Sequence, residues 1–261
     1  MIPNDSEFKL QILASIKGFA STLRGVRYQS SLEKVSHTAI VPWSTYSPWL
    51  DDQSFQKIFG VVSPNSLLDI YRMFQLWELT GQVCTKKCMQ GDILEVGSWR
   101  GGSGCLIGAK CVSEGVDSQV YLADTFRGVP KAGEQDTLYR GGEHSDTSPH
   151  VVSELIGKLS LSNVEILQGL FPEHSSHSIA TKRFRMCHID VDAYQSGLDV
   201  FAWVWPRLET GGVVVFDDYG FWGCEGIARL VSELKYGDDR TFIHNLTGQA
   251  IIIKTADTTS T

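Results

Sequence analysis

From residue 91 to residue 254 the chain alternates short, β-branched apolar runs with stretches of helical periodicity, a rhythm that few folds can accommodate. The runs at 92–96, 119–123, 164–167, 185–189 and 212–216 have the length and composition of buried strands. Helical patterns fill the intervals at 102–112, 149–159, 195–207 and 223–235. Such alternation implies βαβ units with right-handed crossovers and an α/β, Rossmann-like, mainly parallel sheet. The chain then closes with Arg240 to Asn245, a Leu246-Thr247-Gly248 turn and Gln249 to Lys254, read as an antiparallel hairpin added to the sheet edge.

Residues 1–90 read as a helical and aromatic extension packed on a core at 91–254, followed by a polar, disordered tail at 255–261. Phe8, Ile12, Leu13, Ile16 and Phe19 predict a helix over 6–24 with Ser6 as its N-cap, and a second amphipathic helix is expected over 65–84. Trp43, Tyr46, Trp49, Phe55 and Phe59 make the segment between them too aromatic for a linker. Such a segment can cover an active-site mouth or form a subunit contact, although packing against its own domain is commoner. The apolar N-terminal helices offer surface for a homodimer.

A net charge of −7 speaks against a nucleic-acid-coating surface. No apolar run approaches the roughly 20 residues of a membrane helix, and the first residues lack the pattern of a signal peptide, so a cytoplasmic protein is expected. Cys105, Cys111 and Cys187 fall in apolar segments as small hydrophobes; Cys84 and Cys88, spaced for one helix face, lack further ligands for zinc.

Two of the strands end in carboxylates: His188-Ile189-Asp190-Val191-Asp192 and Val215-Phe216-Asp217-Asp218-Tyr219. Parallel strands would bring Asp190, Asp217 and Asp218 to the C-terminal edge of the sheet, where open α/β folds bind ligands. Crowded carboxylates repel, so a cluster of this kind usually persists because a hard cation neutralises it. Helix N-capping explains either cluster alone, but less readily both.

The first strand leads into Glu95-Val96-Gly97-Ser98-Trp99-Arg100-Gly101-Gly102 and then a helix. Glycines there permit a sharp turn and close ligand approach. The spacing Gly97-x-x-x-Gly101 is not the dinucleotide fingerprint, and no Gly-Lys-Ser/Thr phosphate loop follows. Asp124, ending the second strand, is placed to accept hydrogen bonds from the hydroxyls of an adenosine ribose. Glu95 beside the turn suits a cationic group such as an amino acid's ammonium, which favours S-adenosylmethionine over NAD. The glycine-rich, weakly periodic stretch Thr125–Ser148 reads as a functional lid or a disordered segment, and it carries His144.

Glu95-x-Gly97-x-x-x-Gly101-Gly102, Ala123-Asp124-Thr125-Phe126-x-Gly128, His188-Ile189-Asp190-Val191-Asp192-x-Tyr194-x-Ser196 and Gly211-Gly212-x-x-x-x-Asp217-Asp218-Tyr219 together resemble the macrocin O-methyltransferase family over residues 91–254. The resemblance implies a class I methyltransferase sheet and transfer of a methyl group from S-adenosylmethionine to a sugar hydroxyl of a natural product. By the same resemblance Asp190, Asp217 and Asp218 would hold Mg²⁺. Glu95, Gly97, Ser98, Gly101, Asp124, Thr125 and Asp190 would hold the cofactor, and Asp192 would be the general base, with His144 as the alternative base or an acceptor contact. His188 reads as a core residue. The implied partner is a small-molecule glycoside or sugar, offering two neighbouring hydroxyls, with neither nucleic acid nor membrane. The rival readings are a catechol-type O-methyltransferase, an NAD-dependent sugar-modifying enzyme and a non-catalytic partner protein.

Overall fold

The computed structural model describes residues 46–86 and 88–257, with scattered positions before residue 46. Two compact units divide at Pro48–Trp49. In the first, Tyr28–Gln29 and Ser36–His37 form a short antiparallel pair. Of the helix expected over 6–24, residues 11–12, 14–16 and 18–19 are described and helical, while Ser6, Phe8 and Leu13 lie outside the described residues. Trp43 also lies outside them.

The second unit contains α1 (Gln53–Val62), α2 (Ile70–Thr85), β1 (Asp92–Val96), α3 (Gly102–Ser113), β2 (Val120–Asp124), α4 (Pro149–Leu159) and β3 (Val164–Gln168). It continues with β4 (Phe184–Ile189), α5 (Tyr194–Val204), β5 (Leu208–Phe216), α6 (Glu225–Leu234), β6 (Arg240–His244) and β7 (Ala250–Lys254). The strands form one seven-stranded sheet in the order β3-β2-β1-β4-β5-β7-β6. The first five are parallel, and β7 runs antiparallel to both β5 and β6. Every strand and helix expected after residue 91 is present, with ends displaced by a few residues. Pro206 cannot donate to the helical ladder, so α5 stops at Val204 and a 3₁₀ turn, Trp205–Arg207, replaces the expected last turn.

Alternation along each strand splits the core into two layers. Leu94, Cys187, Ile189, Val214 and Phe216 pack with Val200, Phe201 and Ile227 on the α5–α6 side. Ile93, Met186, Val213 and Val215 pack with Phe55, Met73, Trp77, Leu106 and Leu155 on the side of α1 to α4. Residues 49–90 therefore share a core with the sheet, and the compact unit begins at Trp49.

The aromatic segment is mostly interior packing. Phe55 stacks on Phe59 and meets Phe74 and Trp77 edge-on, while Trp49 meets Tyr71 and Phe74. Tyr46 is exposed. Helix α2 starts at Ile70, not near residue 65, because the Asp69 carboxylate accepts from the amides of Tyr71 and Arg72 and ends the preceding extended stretch. Leu67, within the span expected to be helical, is instead exposed in that stretch. The helix ends at Thr85, so Cys88 lies beyond it and is exposed, off the face that carries buried Cys84. All six cysteines are free.

Asp52 joins the aromatic layer to the sheet's covering helices. One of its oxygens accepts from Phe55 N at 2.9 Å to cap α1, and the other accepts from the buried indole Nε1 of Trp77 at 2.9 Å. Asp52→Ala removes the cap and strands an indole N–H. The expected loss is about 2–4 kcal/mol, read as a lower urea midpoint at unchanged m-value. A midpoint unchanged within error would show that the capped helix contributes nothing to the core.

Candidate active site

Strand order reverses between β1 and β4, and the crevice of an α/β sheet opens at such a point, at the C-terminal ends of the strands. The turn after β1 and the turn after β4 touch there. Gly97 adopts φ +91°, and a Cβ on it would fall 1.8 Å from the carbonyl oxygen of Asp190, so the close approach requires glycine. Between these turns and the segments before α2 and after β5 lies a cavity of about 290 Å³.

The cavity wall includes Gly97, Ser98, Asp124, Thr125, His144, Asp190, Asp192, Asp217 and Asp218. The structure thus brings together nine of the eleven residues singled out in the sequence. The other two stand behind the wall. Gly101 caps α3 in the left-handed conformation and faces Val152. Glu95 is fully buried, with Oε1 2.8 Å from His188 Nδ1.

One carboxylate oxygen from each of Asp190, Asp217 and Asp218 lies within 4.8 Å of the others. Asp192 joins them from the other side. It adopts φ +60°, and its amide donates to Asp218 Oδ2 at 3.0 Å. Burial pushes the carboxyls of Asp190, Asp192 and Asp218 above the usual aspartate range, and repulsion from neighbouring carboxylates adds to it. Asp217 behaves oppositely. Burial again opposes ionisation, but the hydrogen bond from His188 and the charge of Arg72 outweigh it and hold this carboxyl low.

Arg72, from the first turn of α2, is the cation the sequence did not disclose. Its Nη1 pairs with Asp217 Oδ2, its Nε donates to Asp69 at 3.0 Å, and its guanidinium lies 4.6 Å from the ring centroid of Phe221. His188, expected in the core, is fully buried there, but it also spans Glu95 and Asp217, the latter at 3.4 Å. With a carboxylate oxygen beside each ring nitrogen, a doubly protonated ring can donate to both. Burial favours the neutral ring, yet the hydrogen bonds to Asp217 and Glu95 raise its pKa well above the usual value. Gln249, at the foot of β7, donates to Asp217 Oδ1 at 2.8 Å. No motif marks Arg72 or Gln249. For His188 the signal was available, because strand alternation puts it on the same face as Asp190.

The stretch 125–148 is folded over the crevice rather than disordered. Buried Asp136 accepts from Tyr194 N at 2.9 Å, supplying the cap that Ala193 cannot give to α5, and Thr137 donates to Gly223 O at 3.0 Å. The anchored stretch presents Tyr139 and His144 to the cavity, with the tyrosine hydroxyl 3.5 Å from His144 Nε2. Tyr139 also hydrogen-bonds Asp192, which lowers the acid's pKa against the larger effect of burial.

The residues present fit both the ion and the methyl donor implied by the sequence. Hard oxygen donors converge as Mg²⁺ requires. Arg72 and His188 offset part of the charge of the four clustered aspartates, and a divalent ion would balance the remainder. On the cofactor side the buried hydroxyl of Ser98 has no hydrogen-bond partner, and Asp124 is aimed into the cavity by the amides of Trp99 at 2.8 Å and Phe126 at 2.6 Å.

The acidic cluster makes a pH-dependent prediction. Asp218 in the fold titrates above the ~3.9 of an unfolded aspartate, so between the two pKa values the native state holds a proton that the unfolded state has released. Raising the pH through that window removes stability from the metal-free protein. Asp218→Asn has no such proton to lose. Its Tm relative to wild type in chelator should therefore rise with pH from about 4 upward, and a difference that is constant with pH would remove the charge argument.

Residues 64–241 match the macrocin-O-methyltransferase (TylF) family. The mycinamicin III 3''-O-methyltransferase of Micromonospora griseorubida is 31% identical over 147 residues, covering 51% of this chain and 57% of that enzyme. An O-methyltransferase of Streptomyces olivaceus that acts at the 4' position of a dimethoxyrhamnosyl tetracenomycin is 30% identical over 144 residues, covering 51% and 55%. The chain thus spans about half the length of the curated relatives it matches. The solved structure of the O-methyltransferase NovP superposes with a TM-score of 0.65 at 24% identity, over 74% of this chain and 83% of that one, which establishes the shared fold.

Proposed function

The chain belongs to the macrocin O-methyltransferase family, and on that footing we propose that it transfers a methyl group from S-adenosylmethionine to a sugar hydroxyl of a small-molecule glycoside, with Mg²⁺ at Asp190, Asp217 and Asp218. One observation carries the reading. The three carboxylates open into the same cavity as the unpartnered Ser98 hydroxyl and the inward-facing Asp124. The named activities of the relatives, on sugars of mycinamicin and tetracenomycin, support the acceptor class.

S-adenosylmethionine supplies an electrophilic methyl on a sulfonium, and Mg²⁺ supplies Lewis acidity that makes a neighbouring hydroxyl more acidic and suits a vicinal diol. The remaining work falls to the chain. Asp124 and Thr125 at the end of β2 receive the ribose, and Gly97 and Ser98 let the backbone come close to the amino-acid end. Asp192 takes the proton from the attacking oxygen. Burial makes it a stronger base than an exposed aspartate, and its positive φ fixes the carboxylate beside Asp218. His144 and Tyr139 close the cavity above Asp192 and help exclude water.

Phe221 and exposed Trp222 on the cavity wall favour a second reading, a flat phenolic diol as acceptor. Turnover of a catechol in preference to every glycoside tried would establish it.

Asp217→Ala should abolish turnover that chelator also abolishes, with the fold intact by circular dichroism; undiminished activity of that variant in chelator would end the metal assignment. Asp192→Asn should keep S-adenosylhomocysteine binding and lose about 10²–10⁴-fold in kcat. Asp124→Ala should weaken S-adenosylhomocysteine by calorimetry, and an unchanged affinity removes Asp124 from the site.

A further inference from the structure

Glu95, His188, Asp217 and Gln249 form a hydrogen-bonded row that crosses four neighbouring strands. Glu95 and His188 sit side by side in the register of β1 and β4, Asp217 follows the last residue of β5, and Gln249 precedes β7. Strand alternation places the row on the face covered by α2 and α3, within an otherwise apolar layer of Ile93, Met186, Val215 and Ile251. The links are Glu95 Oε1 to His188 Nδ1 at 2.8 Å, His188 Nε2 to Asp217 Oδ1 at 3.4 Å and Gln249 Nε2 to the same oxygen at 2.8 Å. Arg72 fixes the other oxygen of Asp217.

Glu95 cannot reach a ligand from this position. It is fully buried, it is absent from the cavity wall, and its second oxygen faces Gly104 of α3, where a Cβ would fall 2.5 Å away. Placing an ionised carboxylate in such a layer is costly unless it is paired. Its pairing is with a ring whose far nitrogen holds one of the three clustered aspartates.

We propose that Glu95 and His188 are positioning residues for the cation site, acting through Asp217, and that Glu95 does not bind the methyl donor. The inference rests on the functional reading above only in taking Asp217 as a metal ligand. Held by Glu95, the imidazole has one orientation, and Asp217 Oδ1 is engaged away from the cavity while the carboxylate keeps its place in the cavity wall. A partner that orients a ligand in this way typically changes metal affinity by about 10–100-fold when it is replaced.

The test separates the two binding equilibria in the intact protein. Glu95→Gln keeps size and shape but not charge. Mn²⁺ binding by electron paramagnetic resonance should weaken at least about tenfold, while S-adenosylhomocysteine affinity by calorimetry should stay within about threefold, since Glu95 has no contact with the cavity. His188→Gln should weaken Mn²⁺ similarly, and adding Glu95→Gln to it should cost nothing further, because Glu95 acts only through the ring. If Glu95→Gln does not fold, the His188→Gln pair of affinities decides by the same criterion. Loss of S-adenosylhomocysteine affinity in Glu95→Gln, unchanged Mn²⁺ binding, or additive effects in the double variant would each overturn the proposal. Wild-type protein that binds S-adenosylhomocysteine but not Mn²⁺ would instead overturn the metal part of the functional reading, and with it this role for Glu95.

Discussion

Four carboxylates share one partly buried crevice, and mutual repulsion of Asp190, Asp192, Asp217 and Asp218 is the force that the surrounding architecture answers. Parallel strands β4 and β5 deliver the acids to the same edge. Arg72 and His188 neutralise the deepest of them, Asp217, from two directions. The other three keep raised pKa values, because burial penalises their charge and no cationic side chain among the described residues hydrogen-bonds them. Under the proposed function, a divalent ion would complete the charge balance of such a site.

Packing makes this possible without weakening the sheet. The two core layers are continuous, and beneath the crevice polar groups enter as a single row, each tied to the next. The loop over 125–148 follows the same logic. Its buried Asp136 caps α5, so the segment that shapes the cavity is held by the fold's own need for a helix cap.

Hydrophobic periodicity located every strand and α-helix after residue 91 among the described residues, since strands and helices in a covered sheet must alternate their apolar positions with fixed periods. It misplaced the start of α2, because Leu67 and Leu68 continue the apolar pattern past the Asp69 cap. It read residues 1–90 as an extension packed on the core without saying which face they cover, because periodicity reports that a face is buried but not against what. The meeting of Asp190, Asp217 and Asp218 at one sheet edge was legible from their positions at strand ends, and Asp192 entered with the family resemblance. Glu95 was expected to face the crevice, but its direction was not legible: a residue near the end of β1 can face the crevice or the covering helices, and Gly104 of α3 leaves the room that admits it to the latter.

The amino-acid sequence therefore set the α/β alternation, the hairpin at the end and the convergence of acids with a glycine turn, because these follow from short-range periodicity and from the position of charges at strand ends. The fold alone assigned partners across large sequence distances. Arg72 meets Asp217 across 145 residues and Glu95 meets His188 across 93, and no local pattern encodes which strands and helices become neighbours. Burial then turned those meetings into chemistry, since a charge out of water must be held by whichever group the topology has set beside it.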